Sequence, residues 1–148
     1  MFLITGGTGF IGSYVAARLL ERGKQVVLYD AYPDIEAVKG FSDKIAVVRG
    51  DINDTMKLLS TVREYKVDII IHLASLLTRG SQGEPGEAIR VNCEGTENIF
   101  NLARVMDLRK VVWASSAAVY GGAFLRHYLE QDERREKGSP NEIRRGAL

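Results

Sequence analysis

Gly6, Gly9 and Gly12 fall at every third position of the run Thr5-Gly6-Gly7-Thr8-Gly9-Phe10-Ile11-Gly12. The run follows a short apolar stretch, Phe2-Leu3-Ile4, and opens an apolar-periodic one, Ile11 to Leu20. That context predicts a strand, a tight glycine turn and a helix. Glycines there let the backbone turn sharply, approach a diphosphate closely and pack helix on strand. The N–H groups that open the helix, on Phe10, Ile11 and Gly12, then face the ligand, and the helix dipole favours its negative charge. Asp30 follows Gly12 by 18 residues, at the end of a second apolar run, Gln25-Val26-Val27-Leu28-Tyr29. An acid in that place suits hydrogen bonds to a ribose diol. The chemistry read from these residues is dinucleotide binding; the plain alternative is a set of glycines that only makes a turn.

The elements that must position these groups alternate along the chain. Phe2–Thr5 reads as the first strand. The first helix, 10–22, has Ile11, Val15 and Leu19 on one face and ends at Gly23. Strands are expected at 25–29, 44–49, 67–73 and 110–115, with only a short helical turn between Pro33 and Gly40. Asp54 can cap a helix to Tyr65 that turns Leu58, Val62 and Tyr65 inward. A long helix from Glu87 to about Met106 follows the glycine-rich loop 79–86. The fourth strand is nearly all apolar, as when both faces of a sheet are covered. The fold class is therefore α/β: a doubly wound parallel sheet of Rossmann type, order 3-2-1-4-5, truncated after the fifth strand. Residues 1–122 form the dinucleotide-binding domain. Residues 126–145 carry six positive and five negative charges with few apolar side chains, so 123–148 is read as a charged tail or solvated helix.

Composition narrows the function classes. A chain of 148 residues fits one domain, and a domain of that size buries roughly 70% of its unfolded surface. The net charge of +1 suggests neither a nucleic-acid footprint nor a funnel for acidic substrates. Cys93 is the single cysteine, so no internal disulfide is possible, which fits a reducing compartment. No apolar run approaches the ~18 residues that would span a membrane, and no signal peptide is read. A cytoplasmic protein is expected, with no metal site.

Five motifs in the right order resemble the extended short-chain dehydrogenase/reductases, the NAD-dependent epimerase/dehydratase group acting largely on nucleotide sugars. The resemblance covers residues 1 to about 121. The glycine run matches that family's version of the motif. Gly50-Asp51-Ile52 resembles its adenine contact, which implies that Asp51 accepts from the exocyclic amine and that the Ile52 backbone meets the ring. His72-Leu73-Ala74-Ser75 resembles the strand end that lies along the cofactor, implying roles for Leu73, Ala74 and Ser75. Val91-Asn92-Cys93-Glu94-Gly95-Thr96-Glu97-Asn98 resembles a helix in which Asn92 supports the site. Ser115-Ser116-Ala117-Ala118-Val119-Tyr120-Gly121 resembles the strand end whose hydroxyl, Ser116, holds the reacting oxygen. Plain structural alternatives stand beside these. Asp51 can cap the turn before Asp54, His72 reads as a packed core histidine, Asn92 can bond a neighbouring loop backbone, and Cys93 reads as a small packing residue.

The resemblance implies NAD as cofactor and a nucleotide sugar as partner. NAD is favoured over NADP because Asp30 would repel a 2′-phosphate and no arginine lies between Ala31 and Val38. In the family a tyrosine and a lysine four residues later move the proton while hydride passes to or from the cofactor. Here the residues four beyond Tyr14, Tyr29, Tyr32, Tyr65, Tyr120 and Tyr128 are Arg18, Pro33, Glu36, Ile69, Phe124 and Asp132, none a lysine. Binding of NAD without turnover is expected of this chain alone. The alternatives are a cofactor-sensing or assembly module, or an oxidoreductase with an unconventional base. An uncovered fifth strand and long helix lead to the expectation of a homo-oligomer.

Overall fold

The computed structural model describes residues 1–77 and 83–116, with Val119 and Arg126. The chain divides into two compact units, Met1–Ala114 and Ser115–Leu148. The first holds a five-stranded parallel sheet, β1 (Phe2–Thr5), β2 (Val26–Asp30), β3 (Ala46–Arg49), β4 (Ile69–His72) and β5 (Lys110–Trp113). Its order is β3-β2-β1-β4-β5, as the alternation of elements predicts. Phe2 stands in register with Val26 on one side and Ile69 on the other, so β1 lies at the centre. Helices α1 (Phe10–Glu21), α2 (Thr55–Glu64), α3 (Pro85–Ile89) and α4 (Gly95–Val105) connect the strands. A π-helical turn, Arg90–Glu94, joins α3 to α4.

Period-two alternation of the strand side chains builds two cores. Leu3, Val27, Tyr29 and Ile70 face one way, where α2 supplies Leu58 and Val62 and α4 supplies Ile99. Ile4, Val26 and Leu28 face the other way, onto Ala16 of α1 and Val38 of the 3-10 turn Glu36–Val38. Asp54 caps α2 as expected, its carboxylate accepting from Lys57 N–H at 2.9 Å.

Four expectations change. Ile11 is exposed, and the buried residues of α1 are Gly12 and Ala16, because the helix meets the sheet where side chains are smallest. The third strand begins at Ala46, since Ser42–Lys44 form a 3-10 turn. Cys93 is exposed rather than packed, lying on the outer side of the π turn. The long helix is not uniform: the π turn inserts an extra residue per turn, which leaves carbonyls for side chains to fill. Asn53 Nδ2 donates to the Arg90 carbonyl at 3.0 Å and the Thr96 hydroxyl donates to the Asn92 carbonyl at 2.7 Å.

In the second unit Ser116 is exposed and its carbonyl accepts from Val119 N–H at 3.2 Å. Tyr120, Tyr128 and most of the expected charged tail lie outside the described residues.

Candidate functional site

The glycine turn is fixed by close packing of backbone on backbone. Gly6 has φ +64°, and a Cβ there would lie 2.9 Å from the amide nitrogen of Ala74. A Cβ on Gly12 would overlap the Gly6 carbonyl oxygen and sit 2.8 Å from Gly7 Cα. These two glycines therefore let β1, α1 and the segment after β4 converge. Gly6 N–H donates to the Tyr29 carbonyl at 2.9 Å, which ties the turn to β2. Gly9 is the N-cap of α1, and among the described residues no side chain caps that helix start. The N–H groups of Phe10, Ile11 and Gly12 thus have no intrahelical acceptor, the condition for an anion site.

Asp30 ends β2 beside that helix start. Its Oδ2 accepts from the Thr8 N–H at 3.1 Å and the Thr8 hydroxyl at 2.8 Å, and its Oδ1 accepts from Tyr32 N–H at 3.2 Å. The Thr8 hydroxyl in turn accepts from Asp34 N–H at 3.0 Å. A cleft of about 550 Å³ opens here, lined by Thr8, Gly9, Phe10, Asp30, Tyr32 and Asp34 among others. Phe10 is 94% exposed over it. Two carboxylates on its wall disfavour an additional phosphate.

Asp51 lies in the turn after β3. Its Oδ1 accepts from Asn53 N–H at 2.8 Å, and Oδ2 accepts from Arg90 Nη2 at 3.0 Å. The Asn53 N–H first, with the Arg90 guanidinium, holds its carboxyl below the usual range. Both roles considered for Asp51 remain compatible with this geometry: it folds the turn, and a carboxylate has further lone pairs to offer. Arg90 also forms a bidentate pair with Glu87, both bonds 2.7 Å. The Tyr29 hydroxyl donates to the Asp51 carbonyl at 2.9 Å. Burial, with the charges of Asp54 and Asp51, pushes that phenol's pKa up. Ile52 is 4% exposed, and its side chain belongs to the core, where only a glycine at 95 leaves it room.

The segment after β4 is held from two sides. The Thr5 hydroxyl accepts from Leu73 N–H at 3.2 Å and Ala74 N–H at 3.3 Å. The Asn92 side chain brackets Leu76, accepting from its N–H at 2.7 Å and donating to its carbonyl at 3.0 Å. Asn92 thus bonds a loop backbone, the structural alternative weighed for it. Ser75 is exposed between the two attachments. His72 is 2% exposed, packed in the core as the sequence suggested, with Nδ1 2.7 Å from the Thr5 hydroxyl and Nε2 3.0 Å from the Thr96 hydroxyl.

The first unit therefore brings Gly6, Gly9, Phe10, Ile11, Gly12 and Asp30 to one end of the sheet, with Leu73 and Ala74 against Gly6. Ser116 belongs to the second unit. Thr5, Thr8 and Thr96 stand inside the quoted motifs without a role of their own, and Asn53 and Arg90 lie outside them. A polar residue closing a buried apolar strand, as Thr5 does, was the available signal. Arg90 and Asn53 leave none, because their partners Asp51 and the Arg90 carbonyl are remote in sequence.

A family model described as the NAD dependent epimerase/dehydratase family matches residues 2–143. A UDP-glucose 4-epimerase of Klebsiella pneumoniae is 31% identical over 128 residues, covering 80% of this chain and 91% of that protein. A UDP-glucose 4-epimerase of Halalkalibacterium halodurans is 34% identical over 120 residues, covering 80% of this chain but 35% of that protein. The crystal structure of UDP-glucose 4-epimerase from Brucella ovis in complex with NAD superposes with a TM-score of 0.73 at 32% identity, over 81% of this chain and 37% of that one. The Bifidobacterium longum UDP-glucose 4-epimerase, in complex with NAD+ and UDP, gives 0.74 at 30% identity, over 81% and 38%. The chain thus spans well under half the length of most of these relatives. With its glycine turn, its sheet order and this match over nearly all its length, the chain belongs to the NAD-dependent epimerase/dehydratase family and corresponds to its NAD-binding region.

Proposed function

We propose that this chain binds NAD across the ends of β2, β1 and β4. The diphosphate sits on the helix start at Gly9 to Gly12, and the adenosine ribose on Asp30. The observation that carries this reading is the cleft beside the uncapped start of α1, with the Asp30 carboxylate fixed at its wall by Thr8 and Tyr32 N–H. In open α/β sheets a dinucleotide binds in the crevice where strand order reverses, here at β1. Asp51 and Ile52 are placed at the adenine, and Leu73, Ala74, Ser75 and Asn92 on the other half. NAD is preferred to NADP, because Asp30 and Asp34 face the place a 2′-phosphate would take.

A nucleotide sugar is the substrate class suggested by the relatives' names. Ser116 is the hydroxyl proposed to hold its reacting oxygen. Since none of the six tyrosines has a lysine four residues on, the reading for these 148 residues is binding and not turnover.

Titration calorimetry of NAD against wild type, Asp30→Ala and Asp30→Asn tests the reading. Loss of charge-assisted bonds to the ribose removes ~1.5–3 kcal/mol, a fall of roughly 10- to 150-fold in affinity. The asparagine variant keeps an oxygen for Thr8 and isolates the charge. Equal NAD affinity in all three proteins refutes the ribose assignment.

A further inference from the structure

The hydrogen bonds around His72 have one consistent direction. A hydroxyl has two lone pairs and one proton. The Thr5 hydroxyl accepts from Leu73 N–H and Ala74 N–H, so its proton goes to His72 Nδ1. Nδ1 is then an acceptor, and the ring proton sits on Nε2 and is donated to the Thr96 hydroxyl. Thr96 passes its own proton to the Asn92 carbonyl, inside the π turn. The Asn92 side chain closes the circuit on Leu76. One imidazole therefore connects two attachments of the 73–76 segment, the Thr5 hydroxyl that holds Leu73 and Ala74 and, through Thr96, the Asn92 side chain that holds Leu76; Leu73 N–H also donates to the Thr5 carbonyl at 3.1 Å, as a strand continuation. Among the described residues every buried side-chain polar atom has a partner. Burial alone lowers the His72 pKa, to about 4, which keeps the ring neutral as this direction requires.

We propose that His72 is a positioning residue: its neutral Nε2–H form sets the 73–76 segment where the second half of the dinucleotide must lie. The inference rests on the NAD-binding reading. The geometry specifies which half. Asp30 on β2 takes the adenosine ribose and the glycine turn after β1 takes the diphosphate. β4 lies on the opposite side of β1 from β2, so a ligand crossing β1 carries its nicotinamide riboside over the β4 end. ADP stops short of that end.

The test compares Thr96→Val, Thr96→Ser and His72→Asn with wild type. Valine keeps the shape of threonine and cuts the circuit between His72 and Asn92; serine restores the hydroxyl. His72→Asn keeps a hydrogen-bonding atom near Nδ1 for Thr5 but cannot reach Thr96. It also supplies a second route should Thr96→Val fold poorly. Two quantities are read at neutral pH: amide hydrogen exchange at Leu73, Ala74 and Leu76 without ligand, and affinities for NAD and ADP by calorimetry. Exchange at Leu76 is expected to quicken in Thr96→Val and His72→Asn and to recover in Thr96→Ser. Leu73 and Ala74 remain protected in both weakened variants. NAD affinity falls about tenfold in those two, equivalent to one hydrogen bond's usual net worth, while ADP affinity stays unchanged.

Unchanged Leu76 exchange in Thr96→Val overturns the circuit, whatever the ligands do. Quickened exchange with unchanged NAD affinity overturns the positioning role. Equal losses for NAD and ADP indicate general loosening of the fold and overturn it as well. Failure of wild type to bind either ligand refutes the NAD reading, and the positioning role with it, while the exchange result still decides the circuit.

Discussion

Replacing Gly12 by alanine separates two ways in which a glycine can be required. Gly12 has an ordinary helical backbone; what it lacks is space. An added Cβ would overlap the Gly6 carbonyl oxygen and come within 2.8 Å of Gly7 Cα and C, whereas ordinary contact begins at 3.4 Å. Clearing the Gly7 atoms alone requires the turn and α1 to part by about 0.6 Å, and the Gly6 oxygen requires more. All the obstructing atoms are backbone, so no rotamer change relieves them. Overpacking of this kind costs typically 1–3 kcal/mol, and a rigid backbone obstruction places Gly12→Ala at about 3. For a domain of this size that lowers Tm by roughly 6–12 °C. Two other glycines are controls. Gly23 has φ +68° with nothing within 4 Å, so Gly23→Ala meets only the left-handed backbone penalty, about 1–2 kcal/mol. Gly40 has open space and no positive φ, so Gly40→Ala is expected to stabilise by about 0.4–1 kcal/mol through the unfolded chain. Urea unfolding followed by far-ultraviolet circular dichroism ranks the three, and calorimetry with NAD completes the test. Only Gly12→Ala is expected to lose NAD affinity, because only it moves the helix start. A Gly12→Ala protein no less stable than Gly23→Ala, with NAD binding intact, refutes the packing argument.

Stability is also expected to fall between pH 6.5 and 4 on account of His72. Burial lowers its pKa to about 4, and among the described residues no charge contributes; Thr5 of β1 and Thr96 of α4 bond the ring, and Trp113 of β5 is its register partner. The unfolded chain takes up the proton first, near its ordinary value of about 6.5, so stability is intact above that pH and about 3 kcal/mol is lost by pH 4. Urea midpoints from pH 7.5 to 4.5 should decline in wild type and be nearly level in His72→Asn; parallel declines refute the assignment. At the sheet edge, Val112 and Trp113 are 46% and 54% exposed, and Trp113 packs edge-to-face on Phe100, itself 46% exposed, with centroids 6.2 Å apart. An apolar edge strand beside an apolar helix face favours association. Sedimentation at ~100 µM, within the concentration range where exposed edges associate, should therefore show a homo-oligomer that Trp113→Lys weakens, and a clean wild-type monomer contradicts this.

Local signals carried much of this protein. The glycine run and the alternation of apolar strands with periodic helices are short-range patterns, and each reflects a local need: a sharp turn, a buried strand, one apolar helix face. Sheet order followed, because few topologies satisfy the rules for parallel crossovers. The Asp54 cap and the Gly23 stop were legible for the same reason. Ile11 misled, since its periodicity suits an inner face while the actual contact is set by where Gly12 meets Gly6 and Gly7. That meeting is a property of two elements together. The π turn at Arg90–Glu94 has no local signature either; side chains from distant segments, such as Asn53 on the Arg90 carbonyl, satisfy it. The Arg90–Asp51 pair joins residues 39 apart, and the Thr5–His72 bond joins residues 67 apart. The sequence supplies hydroxyls and an imidazole; only parallel pairing of β1 with β4 puts Thr5 in register with His72. Tertiary structure alone decided which atom of each group donates and what the circuit holds, because hydrogen-bond direction depends on every neighbour at once.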